Sequence, residues 1–134
     1  MDALRIQATT KTPEVLFDPS NKIFEIKGKS VPDDAESFYD RVLTWFDDYV
    51  SNPIESTVLK LDLEYFNISS SKRLLFLLYK LNELVGRGAN VKVIWQYNEL
   101  DEDMYEVGQD YAFMVKVPFE FVCHKTEELE FAVA

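Results

Sequence analysis

The 134-residue chain has few of the residues that mark several common protein classes. Its single cysteine, Cys123, cannot form an internal disulfide, which fits a reducing cytosol. With only 4 glycines and 5 prolines, long irregular segments are not expected. The first residues lack the basic and apolar regions of a signal peptide, and no apolar run is long enough to span a membrane. We therefore expect a cytoplasmic protein that does not insert into membranes.

Positive charge is also scarce. The chain has 14 Lys and Arg against 24 Asp and Glu, a formal net charge of -10 at pH 7. Such a field repels phosphate backbones and anionic lipids, so neither nucleic acid nor a membrane is an expected partner. Apolar residues are abundant, at 47% hydrophobic and 14% aromatic. This composition predicts one well-packed domain over residues 1–134, with 1–11 and 125–134 as loose ends.

The order of strand and helix patterns predicts an α/β fold. Two short β-type runs, 12–17 and 22–27, flank the turn sequence at 18–21 and predict a hairpin. The first helix is expected to have Asp33 as its N-cap and Glu36 three residues later, a capping-box arrangement. Helical and strand patterns then alternate over residues 33–52, 57–66, 70–85, 90–97, 99–113 and 119–123.

Strand-helix-strand connections imply parallel pairing with right-handed crossovers, so the sheet should be mixed and mostly parallel. In the strand 57–66, Leu59, Leu61, Leu63 and Tyr65 alternate with charged residues. This alternation is typical of a strand that is buried on one face and wet on the other. We therefore expect the helices on one face of the sheet, with the other face left for solvent or a partner.

The junction between this strand and the second helix is the most informative segment. Three serines, Ser69, Ser70 and Ser71, stand where a helix begins, followed by Lys72 and Arg73. Backbone N–H groups and the helix dipole favour negative charge there, so the serines suit either a helix cap or a phosphate. A cation in the first turn of a helix interacts unfavourably with the helix dipole, at a cost of about 0.3–1 kcal/mol. Lys72 and Arg73 are therefore easier to explain if an anion binds at this site.

Six short segments, spread over nearly the whole chain, have a combination found in a known family. They are Thr12-Pro13, Gly28-Lys29-Ser30-Val31-Pro32, Tyr65-Phe66-Asn67-Ile68-Ser69-Ser70-Ser71-Lys72, Trp95-Gln96-Tyr97 with Asp101-Glu102-Asp103-Met104, and Pro118-Phe119-Glu120-Phe121. The chain in this respect resembles the SiaC family of small bacterial regulatory phosphoproteins. The element order, with a serine cluster after a central strand, resembles the STAS fold of bacterial anti-sigma-factor antagonists.

The resemblance implies a partner-switching module in signal transduction. Such a protein is phosphorylated by a cognate Ser/Thr kinase, dephosphorylated by a PP2C-type phosphatase, and binds an effector protein in one state only. In the best-known branch the effector is a diguanylate cyclase, which links the switch to cyclic-di-GMP and biofilm control. The resemblance therefore implies a single STAS-like domain that is not an enzyme and needs no cofactor.

One position departs from the family pattern. The family usually carries Asn-Thr-Ser-Ser with the threonine as phosphoacceptor, whereas Ile68 stands at that position here and has no hydroxyl. Either the phosphate has moved to Ser69, with Ser70 or Ser71 as the next candidates, or the protein is unmodified and binds constitutively. The sequence leaves both possibilities open.

The expected partner-binding residues surround the serines or follow neighbouring strands. They are Asn67, Ile68, Lys72, Arg73, Lys29, Ser30, Tyr97, Asp101, Glu102 and Asp103. Lys29 and Ser30 are included because loops at the same end of a parallel sheet lie close together. The three consecutive acids suit a basic partner better than Mg²⁺, because successive helical residues point in different directions.

No catalytic or metal-binding set is expected. Cys123 and His124 are adjacent in a strand, so their side chains should face opposite ways and cannot act as nucleophile and base. An alternative function remains, a small-molecule or nucleotide-binding domain that uses the same helix start as an anion site. The protein is expected to be a monomer or a weak dimer.

Overall fold

A computed structural model of the protein describes residues 1–125. Its strands are β1 (Leu4–Ile6), β2 (Glu14–Asp18), β3 (Ile23–Ser30), β4 (Ser56–Phe66), β5 (Asn90–Asn98) and β6 (Phe119–His124). Its helices are α1 (Ala35–Tyr49), α2 (Ile68–Gly86) and α3 (Glu102–Met114), and a short 3-10 turn joins β2 to β3. In the part of the chain described, no helix has the length and apolar character needed to cross a membrane.

The six strands form one sheet in the order β1-β2-β3-β4-β5-β6. The pairs β1–β2 and β2–β3 are antiparallel, and the pairs β3–β4, β4–β5 and β5–β6 are parallel. The predicted α/β class, with a mixed and mostly parallel sheet and an N-terminal hairpin, is confirmed. Because β3, β4 and β5 run in the same direction, the connections that follow them meet at one edge. We call residues 30–34, 66–71 and 98–103 the carboxyl edge.

The helices cover one face of the sheet. Alternate strand residues are buried against them, for example Ile26, Leu61 and Val93. The residues between them form an open polar face crossed by the ion pairs Glu25–Lys60 (3.8 Å) and Lys92–Glu120 (3.2 Å), and by a contact of 3.2 Å between the His124 Nε2 and the Asp62 Oδ1. The face away from the helices is therefore polar, and the expected one-sided arrangement of helices is confirmed.

The N-terminal segment differs from the expectation of a loose end at 1–11. Leu4–Ile6 form β1 and pair with β2, with Leu4 opposite Phe17. The indole N–H of Trp45 also donates a hydrogen bond to the carbonyl of Asp2 at 2.9 Å. Three residues are too few to show a strand period in the sequence. Of the other expected loose end, 125–134, residues 126–134 lie outside the described part.

All three helices start at residues other than those expected, and the starts of α1 and α3 are explained by their caps. Asp34, not Asp33, caps α1: its Oδ1 accepts the Ser37 N–H at 3.2 Å and its Oδ2 accepts the Ser37 hydroxyl at 2.9 Å. These hydrogen bonds lower the pKa of Asp34. Asp33 pairs instead with Lys11 at 3.2 Å. Helix α3 starts at Glu102 rather than 99, because the chain first turns at Asn98, whose backbone carbonyl accepts the N–H of residue 101 at 2.9 Å.

A β-bulge changes the end of β4. Gly28 pairs with Leu63 and Lys29 pairs with Tyr65, so Glu64 is an extra residue in β4. Tyr65, expected on the inner face by strict alternation, is 57% exposed. Phe66 takes the inner position, with its ring centroid 6.3 Å from that of Trp95. The alternation fails here because a bulge shifts every later side chain to the other face.

Candidate functional site

Asn67 begins helix α2. Its Oδ1 accepts the backbone N–H of Ser70 at 2.9 Å, and its carbonyl accepts that of Ser71 at 2.9 Å. The helix therefore begins two residues before the predicted start, and the interpretation of the serines as its cap is wrong. The asparagine side chain accepts the first-turn N–H that a serine cap would otherwise accept, which leaves the three serine hydroxyls available for other contacts.

The three serines lie in three different environments. Ser69 is exposed, Ser70 is 0% exposed, and Ser71 is half-buried with its hydroxyl donating to the Ile68 carbonyl at 2.8 Å. Ile68, at the usual threonine position, is 89% exposed. Successive residues of a helix are about 100° apart, which is why adjacent serines do not share a face.

Ser70 belongs to a buried hydroxyl cluster that joins α2 to β3 and α1. Its hydroxyl donates to the Ser30 carbonyl at 3.0 Å and accepts from the Ser30 hydroxyl at 2.8 Å. The phenol oxygen of Tyr39 lies 2.6 Å from the Ser30 hydroxyl oxygen. Burial raises the pKa of Tyr39 to about 12, so its phenol stays protonated at neutral pH. We name Ser30, Tyr39 and Ser70 the hydroxyl cluster.

The parallel topology places Ser30 beside the serines, as expected, but Ser30 is 0% exposed and therefore does not offer its side chain to a partner. Tyr39 was missed. Tyr39 lies in the middle of an apolar helical pattern, and nothing in its sequence context separates it from ordinary core residues. A signal was available in hindsight, because a buried tyrosine hydroxyl usually needs a polar partner and Ser30 is the polar residue that ends β3.

The two cations that follow the serines have different neighbours. The Arg73 guanidinium lies 3.6 Å from the Glu36 carboxylate of α1 and 5.5 Å from the Phe76 ring centroid. Lys72 is exposed, and its ammonium lies 5.8 Å from the same ring. Residues three apart on a helix are neighbours, so Lys72 lies next to Ser69. Arg73 thus links two helices, whereas Lys72 contributes its charge to the surface around Ser69.

The remaining candidates lie elsewhere along the carboxyl edge. Lys29 is exposed on the strand position before Ser30, and Tyr97 is half-buried with its ring 5.0 Å from Tyr105. Asp101 caps α3 by accepting the Met104 N–H at 3.0 Å, which accounts for one of the three acids. Glu102 and Asp103 are exposed in the first turn of α3. These acids follow β5, the strand next to the one that leads to the serines.

Helix α3 nevertheless contacts the start of α2. The Tyr111 phenol donates to the Ser71 carbonyl at 2.9 Å, and burial raises the pKa of this phenol. A surface hollow of about 280 Å³ at the start of α1 is lined by Asp34, Glu36, Ser37 and Asp40. Within residues 1–125, no group of three or more His, Cys, Asp or Glu is placed to hold a metal ion.

The fold and the site together define a class: a small α/β domain that exposes a serine at a helix start above a buried hydroxyl cluster. A family model described as "SiaC family regulatory phosphoprotein" matches residues 6–124. The chain belongs to this family, and the resemblance found in its sequence is confirmed.

Similar proteins support this assignment. The chain is 26% identical over 124 residues to an uncharacterized protein of Pseudomonas aeruginosa (strain UCBPP-PA14), covering 92% of this chain and 98% of that protein. The structure of SiaC of Pseudomonas aeruginosa is 25% identical with a TM-score of 0.84, covering 92% of this chain and 100% of that one. A chain of the crystal structure of diguanylate cyclase SiaD in complex with its activator SiaC, from the same organism, is 26% identical with a TM-score of 0.85, covering 90% and 99%. The broader relationship to STAS domains stays a prediction.

The cap supplied by Asn67 gives a first stability prediction. Replacing Asn67 with Ala removes the acceptor for the Ser70 N–H, so the free energy of unfolding should fall by about 0.5–2 kcal/mol. Asn52→Ala, in the turn after α1, is the matched control and should change it much less. Urea unfolding monitored by circular dichroism measures the free energy of unfolding of both variants. Equal losses in the two variants would show that the Asn67 side chain does not cap the helix.

Proposed function

We propose that this protein is a non-catalytic regulator that binds and controls a diguanylate cyclase, with phosphorylation of Ser69 as the switch. Its membership of a family of regulatory phosphoproteins supports the regulatory role. The similar SiaC chain that is the activator of SiaD supports a diguanylate cyclase as the effector. The observation that carries the choice of residue is the exposure of Ser69, beside the buried Ser70 and the internally bonded Ser71.

A kinase must reach the hydroxyl that it modifies. Ser69 meets this requirement in the folded protein, whereas the Ser70 hydroxyl is 0% exposed and holds two hydrogen bonds within the hydroxyl cluster. A phosphate on Ser69 would also stand near the start of α2 and next to Lys72, where negative charge is favourable. The fold therefore tolerates a phosphate at Ser69, which supports a moved acceptor over constitutive binding.

The surface around Ser69 suits a docking partner. Ile68 is 89% exposed and Tyr65 is 57% exposed, and Leu100 on the neighbouring connection is 68% exposed. Exposed apolar side chains grouped at one edge are typical of interaction surfaces. A phosphate adds about 1.5–2 negative charges at pH 7, which must lose water when this surface is covered. Phosphorylation is therefore expected to weaken docking.

Other parts of the proposal follow the family. The phosphate would be added by a Ser/Thr kinase and removed by a PP2C-type phosphatase in the bacterial cytoplasm, with the protein as a monomer or weak dimer.

The chain's only histidine, His124, pairs with Asp62 on the open face and not with a serine of the site. The hollow at the start of α1 is lined by three carboxylates, which disfavours the phosphates of a nucleotide there.

A charge substitution at Ser69 tests this function. Ser69→Glu should weaken binding to the diguanylate cyclase of the same bacterium by about 10–100-fold, because a carboxylate enters an apolar contact. Ser69→Ala should bind as the wild type does. Ser51→Glu, an exposed serine after α1 at the opposite edge, makes the same charge change and should leave the affinity unaltered. Isothermal titration calorimetry measures the affinity of the wild type and the three variants for the cyclase. Wild-type affinity in Ser69→Glu would contradict the proposed site.

A further inference from the structure

The direction of each hydrogen bond in the hydroxyl cluster can be assigned by counting protons. The Ser70 hydroxyl gives its proton to the Ser30 carbonyl, and the Ser30 hydroxyl gives its proton to Ser70. Each serine hydroxyl has one proton, so Ser30 has none left for Tyr39. Tyr39 must therefore donate across the 2.6 Å contact to Ser30. The bonds form a single one-way chain that begins in α1 and ends at the carbonyl of β3.

Two residues that flank Ser69 depend on Ser30. The Ser30 carbonyl accepts the Asn67 backbone N–H at 3.0 Å as well as the Ser70 hydroxyl. Asn67 in turn accepts the Ser70 N–H through its side chain. Ser69 itself is exposed, but the residues at both ends of its segment are tied to one residue of β3. The position of Ser69 is therefore fixed largely by the buried residues Ser30 and Ser70.

We propose that Tyr39 is a positioning residue for the switch: through Ser30 and Ser70 it fixes the first turn of α2 and so determines how Ser69 is presented. This inference rests on the proposed role of Ser69. The residue that controls the switch would then lie on α1, a different helix from Ser69, and its side chain is 0% exposed. Loss of the Tyr39 hydroxyl would leave Ser30 without its donor and allow the serine pair to loosen, while the apolar packing of the ring remains.

The same helix carries a matched control at its other end. Tyr49 is 1% exposed, and its phenol lies 2.7 Å from the Thr57 hydroxyl and accepts the Ile54 backbone N–H at 3.3 Å. Tyr49→Phe therefore removes a buried tyrosine hydroxyl from α1, as Tyr39→Phe does, but at the opposite end of the helix, where the partners of the hydroxyl are Thr57 and Ile54. A general loss of core stability should affect both variants alike.

Residue-resolved amide hydrogen exchange by NMR on the protein alone tests the proposal. Tyr39→Phe should speed exchange of the Ser70 and Ser71 amides by about fivefold, the effect of one buried hydrogen bond, and leave Ile54 unchanged. Tyr49→Phe should speed exchange of the Ile54 amide and leave the Ser70 and Ser71 amides unchanged. Ser70→Ala should speed Ser71 exchange as Tyr39→Phe does, and combining the two should add little further. Equal acceleration at both places in both variants, or unchanged Ser70 and Ser71 exchange in Tyr39→Phe, would overturn the proposal.

Cyclase binding separates this inference from the proposed function. If Tyr39 positions the switch, Tyr39→Phe should also weaken cyclase binding by about threefold or more, whereas Tyr49→Phe should not. If Ser69→Glu binds normally while the exchange pattern appears as described, the proposed function fails and the positioning of α2 by Tyr39 stands. If Ser69→Glu binds weakly but the exchange pattern is absent, the proposed function stands and the role of Tyr39 is refuted.

Discussion

Ser70→Asp is expected to be one of the most destabilising single substitutions in this protein, while the same change one residue earlier is harmless. The Ser70 side chain is 0% exposed and is enclosed by Ser30 and Tyr39. A carboxylate there is larger than a hydroxyl and must lose its water inside the hydroxyl cluster, so the free energy of unfolding should fall by about 3–5 kcal/mol even though Arg73 follows three residues later on the helix. That is a large part of the 5–15 kcal/mol typical of a domain.

Ser69→Asp is the matched control. Ser69 is exposed at the second position of α2, where a negative charge interacts favourably with the helix dipole. The free energy of unfolding should stay unchanged or rise by about 0.5 kcal/mol. Urea unfolding at pH 7 measures both variants. If both lose stability equally, the two serines do not differ in burial and the assignment of Ser69 as the accessible hydroxyl is refuted.

The pH dependence of Ser70→Asp provides a second check. Burial raises the pKa of a carboxyl in the folded state above its value of about 3.9 in the unfolded chain. At pH values below the unfolded pKa, both states are protonated and the charge contributes no penalty. The penalty grows as pH rises from the unfolded to the folded pKa. The difference in stability from the wild type should therefore be smaller at pH 4 than at pH 8.

Gly108→Ala has the second large expected effect. Gly108 lies in α3 against the indole of Trp95, and a Cβ at this position would be 2.5 Å from Nε1 and 2.6 Å from Cδ1. Trp95 is 1% exposed, and its N–H donates to the Met104 carbonyl at 3.0 Å, so the ring cannot move without losing this bond. Overpacking of this kind typically costs about 1–3 kcal/mol. The variant should unfold at a lower urea concentration.

Gly86→Ala is the control for this substitution. Nothing lies within 4 Å of a Cβ built on Gly86, which ends α2. Ala is favoured over Gly in a helix, so this variant should be as stable as the wild type or more stable by up to about 1 kcal/mol. A Gly108→Ala protein that is as stable as Gly86→Ala would show that α3 can shift away from Trp95 at no cost. The contact of Tyr111 with Ser71 would then be loose as well.

Much of this architecture could be predicted because the strand and helix periods are strong. The alternation of Leu59, Leu61 and Leu63 in β4 is enough to assign a half-buried strand and to place the helices on one face. The alternation then failed at Tyr65, because a bulge inserts one residue and leaves no mark in local composition. The short β1 was missed for a related reason, since its three residues are held by pairing with β2 and not by a pattern of their own.

The site was predictable only in part. A serine cluster at a helix start could be found in the sequence, and parallel topology was enough to bring Ser30 near it. Which serine is exposed could not be predicted, because it depends on where the helix begins, and Asn67 rather than a serine caps it. A change of one residue in the helix start rotates every later side chain by about 100°. The role of Tyr39 depends on a contact between distant parts of the chain, which no local pattern contains.

Peptide-resolved mass spectrometry of the protein purified from its native bacterium tests whether Ser69 is the phosphoacceptor. Our account predicts a phosphoryl group on the peptide containing residues 69–71, with fragment ions that place it on Ser69. Incubation with the cognate kinase should increase its occupancy, and Ser69→Ala should abolish it. A phosphate placed on Ser70 or Ser71, or an unmodified protein even after treatment with the kinase, would contradict the account.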